Sequence, residues 1–290
     1  MGVCNLSIKD LSGVKMAVFV VSVLFLVTVF LTIWKSSADV LPLDMAEGSV
    51  DDSYDGCKDA MNALVMSNYF EYEKKNTPGF SNAWKVSLSK YVKAELGKYQ
   101  SVAIYMYTRE PVCRNDCSYS EFNTATRHLK EAYKSGHFQF YTLHFFLTDA
   151  IQQLKQNQTG CVTTYRKTKV TFQTDVLNQT VRFGSFTSSS LVKSLTGFGN
   201  KSCFEVFTCF GAAVEKYSAF SNEREVLIPP YEVFRITSIE ENTWCEVVYI
   251  LKSVGKRSDL RCAKTNSSSA AGAPSLYLST LLFPAVWLIQ

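Results

Sequence analysis

Eight cysteines, Cys57, Cys113, Cys117, Cys161, Cys203, Cys209, Cys245 and Cys262, lie between two uncharged apolar runs near the ends of this chain. An even set in that setting points to a fold closed by disulfides in an oxidising compartment. The ninth cysteine, Cys4, precedes the first apolar run. That run, Met16 to Trp34, is broken only by Ser22, Thr28 and Thr32. Lys9 and Lys15 come before it and the small residues Ser36-Ser37-Ala38 after it, the pattern of a secretory signal peptide cut near Ala38. Its length approaches the ~20 residues that span a bilayer, so a retained signal anchor is the alternative. At the other end, small residues from Asn266 to Gly272 lead into the apolar tail Leu276 to Ile289. This order is that of a signal for a glycolipid (GPI) anchor, with attachment near Asn266 or Ser267. A tail helix on the core or a short membrane segment is the competing reading.

The interior agrees with export. Asn157, Asn178, Asn200 and Asn266 each begin an Asn-x-Ser/Thr sequon. No histidine neighbours the cysteines at a zinc-ligand spacing, so no metal is expected. The net charge of +4 comes with no basic run to follow a phosphate backbone, which argues against nucleic acid. The expected organisation is residues 1–38 as signal peptide or anchor, 39–265 as one folded domain, and 266–290 as the anchor signal.

Within that domain the texture changes at Gly160. Before it, apolar residues recur at helical spacing. Ser118-Tyr-Ser-Glu121 forms a capping box ahead of Phe122, Ala125, Leu129 and Ala132, and Gly136 ends that helix. Phe138 to Leu154 reads as a second helix, with shorter ones at Tyr54–Met66 and Ala83–Leu96. After it come short β-rich runs at Val170–Phe172, Val181–Phe186, Cys203–Cys209, Glu225–Ile228, Tyr231–Ile239 and Glu246–Val254. Helices followed by strands predict an α+β fold rather than alternating βαβ units. No Gly-x-Gly-x-x-Gly is present, so a dinucleotide would not bind in the Rossmann manner.

Three segments of the second half could carry chemistry: Tyr165-Arg166, Phe186-Thr-Ser188-Ser-Ser190, and Glu223-Arg-Glu225-Val-Leu-Ile-Pro229. Each has an ordinary reading when taken alone. Arg166 is a surface ion pair, the serines are a polar turn, and Glu-x-Glu is a solvated acidic turn. Each also has a sharper use. A guanidinium fork fits a pyrophosphate, and hydroxyls can hold a ribose or orient a carboxylate. Two carboxylates two residues apart on a strand share a face, if the extended backbone begins at Glu223. A carboxylate stabilises the oxocarbenium-like state of glycosyl-bond cleavage. A glycoside hydrolase is disfavoured, because one strand cannot place the two carboxylates on opposite sides of a bond.

In this order, the three segments resemble the arginine–serine–glutamate signature of vertebrate ecto-ADP-ribosyltransferases, relatives of clostridial-type ADP-ribosylating toxins. The resemblance continues more loosely from about Tyr54 to Cys262. It implies a helical N-terminal half packed on a β-rich NAD-binding core, and transfer of ADP-ribose from NAD to arginine side chains of extracellular or surface proteins. It implies Glu225 as the catalytic glutamate, Glu223 as the residue selecting arginine as acceptor, Arg166 as a grip on NAD, and Ser188 as support for the ribose and for Glu225. It makes Lys216–Asn222 the acceptor-recognition turn, with Tyr217 or Phe220 as its aromatic contact. It pairs Cys161–Cys209 and Cys57–Cys262, leaving Cys113–Cys117 and Cys203–Cys245, a division that the sequence does not fix. One departure is Lys167, where the family often has glycine. A mainly NAD-hydrolysing enzyme and an inactive surface glycoprotein are the other readings, the intact Arg166, Ser188, Glu223 and Glu225 set opposing the latter.

Overall fold

A computed structural model describes residues 40–109 and 119–265. The proposed signal segment, the anchor signal, Asn266, Cys113, Cys117 and Ser118 of the capping box lie outside the described residues.

The helices are α1 (Lys58–Leu64), α2 (Phe70–Asn76), α3 (Phe80–Leu88), α4 (Lys98–Thr108), α5 (Tyr119–His128), α6 (Lys130–Ser135) and α7 (Tyr141–Asn157). A π-helical turn, Val65–Tyr69, joins α1 to α2. The strands are β1 (Val162–Lys167), β2 (Thr180–Val181), β3 (Thr187–Ser190), β4 (Ser202–Thr208), β5 (Ala212–Ala213), β6 (Glu225–Ile228), β7 (Glu232–Glu241) and β8 (Val247–Lys256). They form one sheet in the order β2-β7-β8-β4-β1-β3-β6-β5. All neighbours run antiparallel except β4 and β8. Helices come first and strands after, so the architecture is α+β.

Two cores lie on the two sides of β6. Leu227 joins the helical core with Phe186, Ala212, Val214, Tyr107 and the α7 residues Phe145, Phe146 and Ile151. Its neighbour Ile228 joins a second core with Phe204, Val206, Phe234, Ile236, Tyr249 and Leu251. Successive strand residues point to opposite faces, so β6 is packed from both sides. That fixes the strand bearing Glu225.

Several boundaries differ from the sequence reading. Helix α3 starts at Phe80 and stops at Leu88, short of Leu96. Helices α2 and α4 were not expected. Near Val170–Phe172 there is only a bridge from Phe172 to Leu41. The run Val181–Phe186 breaks at Gly184, whose φ is +70° and where a Cβ would lie 2.3 Å from that of Ala46. Such a backbone suits glycine and interrupts a strand.

Buried polar groups tie the two ends of the domain together. Asp51 Oδ2 lies 2.6 Å from Arg182 Nη1, both side chains being fully buried. Asp51 Oδ1 accepts the backbone N–H of Asp259 and Leu260, and Asp52 Oδ1 that of Cys262. The Cys57–Cys262 disulfide lies beside this clasp. The structure also holds Cys161–Cys209 and Cys203–Cys245. Asn157, Asn178 and Asn200 are exposed, as attachment of a glycan requires. His144 is buried on α7, its Nε2–H donating to the Val50 carbonyl and its Nδ1 accepting from Tyr54. Burial pushes its pKa down to about 4, keeping it neutral in this structural role.

Candidate active site

The candidate residues come from adjacent strands. Ser190 of β3 lies opposite Glu225 of β6 and Tyr165 of β1. Residues directly opposite in antiparallel strands share a face, so Ser188 and Ser190 stand on the same side as Glu225. Strand β1 meets β3 at the single register Tyr165↔Ser190. Beyond it the Ser188 carbonyl accepts from Arg166 Nη1 at 2.7 Å. The guanidinium thus sits where two strands part.

Glu225 is 4% exposed. Its Oε2 accepts from Ser218 Oγ at 2.9 Å, and the Ser188 hydroxyl lies on the same face, where it favours the charged form of the carboxyl. Burial raises its pKa above the ordinary carboxylate value, while the Ser188 and Ser218 hydroxyls and the Arg166 charge act against that rise. The Glu223 charge adds to the rise, as a like charge nearby does.

Their geometry is not that of a strand pair. Ser221–Glu223 is a 3-10 turn, Arg224 is left-handed at φ 46° and ψ 50°, and the strand begins only at Glu225. The Ser190 hydroxyl donates to the Glu223 carbonyl at 2.6 Å and steadies this turn. Glu223 is half-buried, and that burial raises its pKa.

Along Lys216–Asn222, the turn that the resemblance assigns to the acceptor, the structure separates two aromatic residues. Tyr217 is buried in the helical core and its hydroxyl accepts from the Leu96 N–H at 3.2 Å, so it is no surface contact. Phe220 is 37% exposed. Lys167 is two residues from Tyr165 and shares its face, where both stand against Trp244, the Lys167 Nζ 5.7 Å from the ring centre.

Tyr107 and Asn123 escaped the sequence reading, and Ser218 was named only as part of the turn Lys216–Asn222. Ser218 bonds Glu225. Tyr107, from α4, donates to the Phe186 carbonyl at 2.8 Å, just ahead of β3. Asn123 Nδ2 donates to the Tyr107 hydroxyl at 3.0 Å. Burial pushes the Tyr107 pKa up to about 12, so it remains a neutral donor. Only the spacing of Ser218 ahead of Phe220 and Glu223 offered a signal. Among the described residues, no group of three or more His, Cys, Asp or Glu is placed to hold a metal ion.

A buried carboxylate bonded by hydroxyls, a guanidinium nearby and a second carboxylate suit cleavage of a glycosyl bond to a phosphorylated sugar. Comparison with known proteins gives the same direction. A family model described as NAD:arginine ADP-ribosyltransferase matches residues 43–259. The mouse GPI-linked NAD(P)(+)–arginine ADP-ribosyltransferase 1 is 32% identical over 254 residues, 80% of this chain and 76% of the relative. The chicken NAD(P)(+)–arginine ADP-ribosyltransferase 1 is 35% identical over 234 residues, 76% of this chain and 72% of the relative. The crystal structure of the mono-ADP-ribosyltransferase ART2.2 in complex with NADH superposes with a TM-score of 0.63 at 27% identity, covering 77% of this chain and 98% of that one.

Proposed function

The chain belongs to the NAD:arginine ADP-ribosyltransferase family, and from that premise we propose how its own residues divide the work of moving ADP-ribose from NAD to an arginine. The protein is an enzyme of the transferase class, and NAD is its substrate. The observation that carries the assignment of roles is the buried, serine-bonded Glu225 with Arg166 beside it.

In this reading Arg166 contacts the NAD diphosphate or the ribose next to it. Ser188 supports the nicotinamide ribose and orients Glu225. Glu225, ionised, accepts a hydrogen bond from the ribose 2′-hydroxyl. It stabilises positive charge at the anomeric carbon as the bond to the nicotinamide nitrogen breaks. The ring nitrogen takes the bonding pair, so nicotinamide leaves neutral and needs no acid. A guanidinium nitrogen of the acceptor then bonds to that carbon and gives up a proton. Since a guanidinium stays protonated in water, a carboxylate must orient it and receive that proton. Glu223, half-buried with a raised pKa, suits this role, with Phe220 as the exposed contact.

The acceptors are arginine-bearing extracellular or surface proteins. The protein acts at the extracellular face of the plasma membrane, in keeping with the mouse relative's name, which calls it GPI-linked. Residues 1–38 serve as signal peptide or anchor, 39–265 as the transferase domain, and 266–290 as the GPI signal. Cys113 pairs with Cys117.

The test is nicotinamide release and ADP-ribosyl-agmatine formation by the disulfide-intact protein, agmatine being a small guanidine acceptor. Turnover of NAD with agmatine-dependent product is the expected result. Glu223→Gln should lower transfer by about 10²-fold, the scale of a lost general base, while NAD hydrolysis persists. Absence of NAD consumption by folded protein would overturn the enzymatic reading. Equal loss of both activities in the variant would move acceptor selection away from Glu223.

A further inference from the structure

The loop between β5 and β6 is held at three consecutive residues. Ser218 Oγ donates to Glu225 Oε2 at 2.9 Å. The Ala219 N–H donates to Thr108 Oγ1 of α4 at 2.9 Å. The Phe220 N–H donates to Ser218 Oγ at 3.1 Å. A hydroxyl has one proton and two lone pairs, whereas an amide N–H can only donate. The direction of the chain is therefore set: Phe220 gives to Ser218, and Ser218 gives to Glu225. A hydroxyl that accepts such a bond is polarised and becomes a stronger donor. Phe220 is itself the exposed residue of the turn, and Glu223 follows three residues later.

We propose that Ser218 is a positioning residue that couples the acceptor turn to Glu225, so that an acceptor lodged against Phe220 alters the hydrogen bond holding the catalytic carboxylate. The proposal deepens the transferase reading and rests on it. It gives the enzyme a way to respond to a guanidine acceptor before any bond to that acceptor forms. When the turn is displaced, the Phe220 amide draws away from Ser218 and the donor to Glu225 weakens. When the turn is seated, both bonds are made and the ionised form of Glu225 is favoured.

Other groups act on Glu225 from every side, and the test must separate Ser218 from them. Arg166 of β1 favours its charge and Glu223 of the turn opposes it. The Ser188 hydroxyl of β3 favours its charge, and Tyr107 of α4 lies within its electrostatic reach. Arg224 is exposed beside it.

The experiment is the pH dependence of nicotinamide release by the full, disulfide-intact protein, with and without saturating agmatine, for the parent, Ser218→Ala and Ser218→Thr. A bond from a hydroxyl to an ionised carboxylate favours the charged form, so its loss moves the acid limb to higher pH. A displacement of about one pH unit is expected in Ser218→Ala, which is a tenfold lower rate on that limb. Agmatine should move the acid limb of the parent and leave that of Ser218→Ala in place. Ser218→Thr keeps the hydroxyl and should restore the parent profile. A uniform loss of rate in Ser218→Ala with an unmoved acid limb would mean a merely structural serine and overturn the proposal. So would a parent profile indifferent to agmatine. An inactive parent would instead strike at the transferase reading, so the two failures are distinguishable.

Discussion

Glu225→Gln is expected to lower nicotinamide release by at least about 10²–10³-fold, both with and without acceptor. The estimate follows from removing a preorganised charge aimed at a developing cation in a site sheltered from water. The side chain is 4% exposed and lies on a strand packed by two cores, so glutamine occupies the same place. Its amide oxygen can still accept from Ser218. The variant should therefore fold and retain NAD binding, read by thermal unfolding and by titration with NAD. Because the carboxyl is raised in pKa by burial, removing its charge carries no folding penalty of its own. Turnover close to that of the parent would transfer the central role to Glu223. A loss accompanied by failure to bind NAD would make Glu225 a binding residue rather than a stabiliser of the transition state.

The second large effect concerns stability. Asp51→Ala is expected to cost about 3–5 kcal/mol, since it strands one member of a buried ion pair. Arg182 would keep its bonds to the Met45, Ala46 and Arg257 carbonyls, but its positive charge would have no buried counter-charge. The N–H groups of Asp259 and Leu260 would lose their acceptor too. For a domain of this size the thermal midpoint should fall on the order of 10 °C. The surface pair Lys134–Glu131 is the control, where Lys134→Ala should change stability by less than about 1 kcal/mol. A variant of Asp51 no worse than that control would show that water reaches and solvates Arg182.

The parts of the fold written in contiguous pattern were legible, and those created by packing were not. Strand β6 announces itself by Val226, Leu227 and Ile228 ahead of a Pro pair, and its four residues are all buried. Helix α7 shows its apolar spacing along Tyr141, Phe145 and Ile151. Its start owes nothing to a local cap, because Glu73 of α2 accepts the Tyr141 and Thr142 N–H groups. Helix α4 buries Ser101, Val102, Ala103, Ile104, Met106 and Tyr107, so little amphipathic contrast marks it. The same division runs through the site. Arg166, Ser188, Glu223 and Glu225 stand in recognisable strings. The left-handed turn at Arg224 does not, since neither glycine nor asparagine occupies it to signal positive φ. Ser218 reaches the carboxylate, and Tyr107 the carbonyl of Phe186 at the start of β3, only when the loop and α4 are folded against the sheet.

The clasp between the domain's two ends also decides how the molecule bears tension. A pull on the chain beyond Thr265 is met at Cys262, whose sulfur is bonded covalently to Cys57. The backbone N–H groups of Asp259, Leu260 and Cys262 hang on Asp51 and Asp52, a few residues from the same crosslink. Force entering there passes through that link into the N-terminal segment and α1 as well as back along the chain toward β8. Were the proposed C-terminal anchor to pull on the chain, the load would meet that covalent link before it reached the strands that carry Arg166, Ser188 and Glu225.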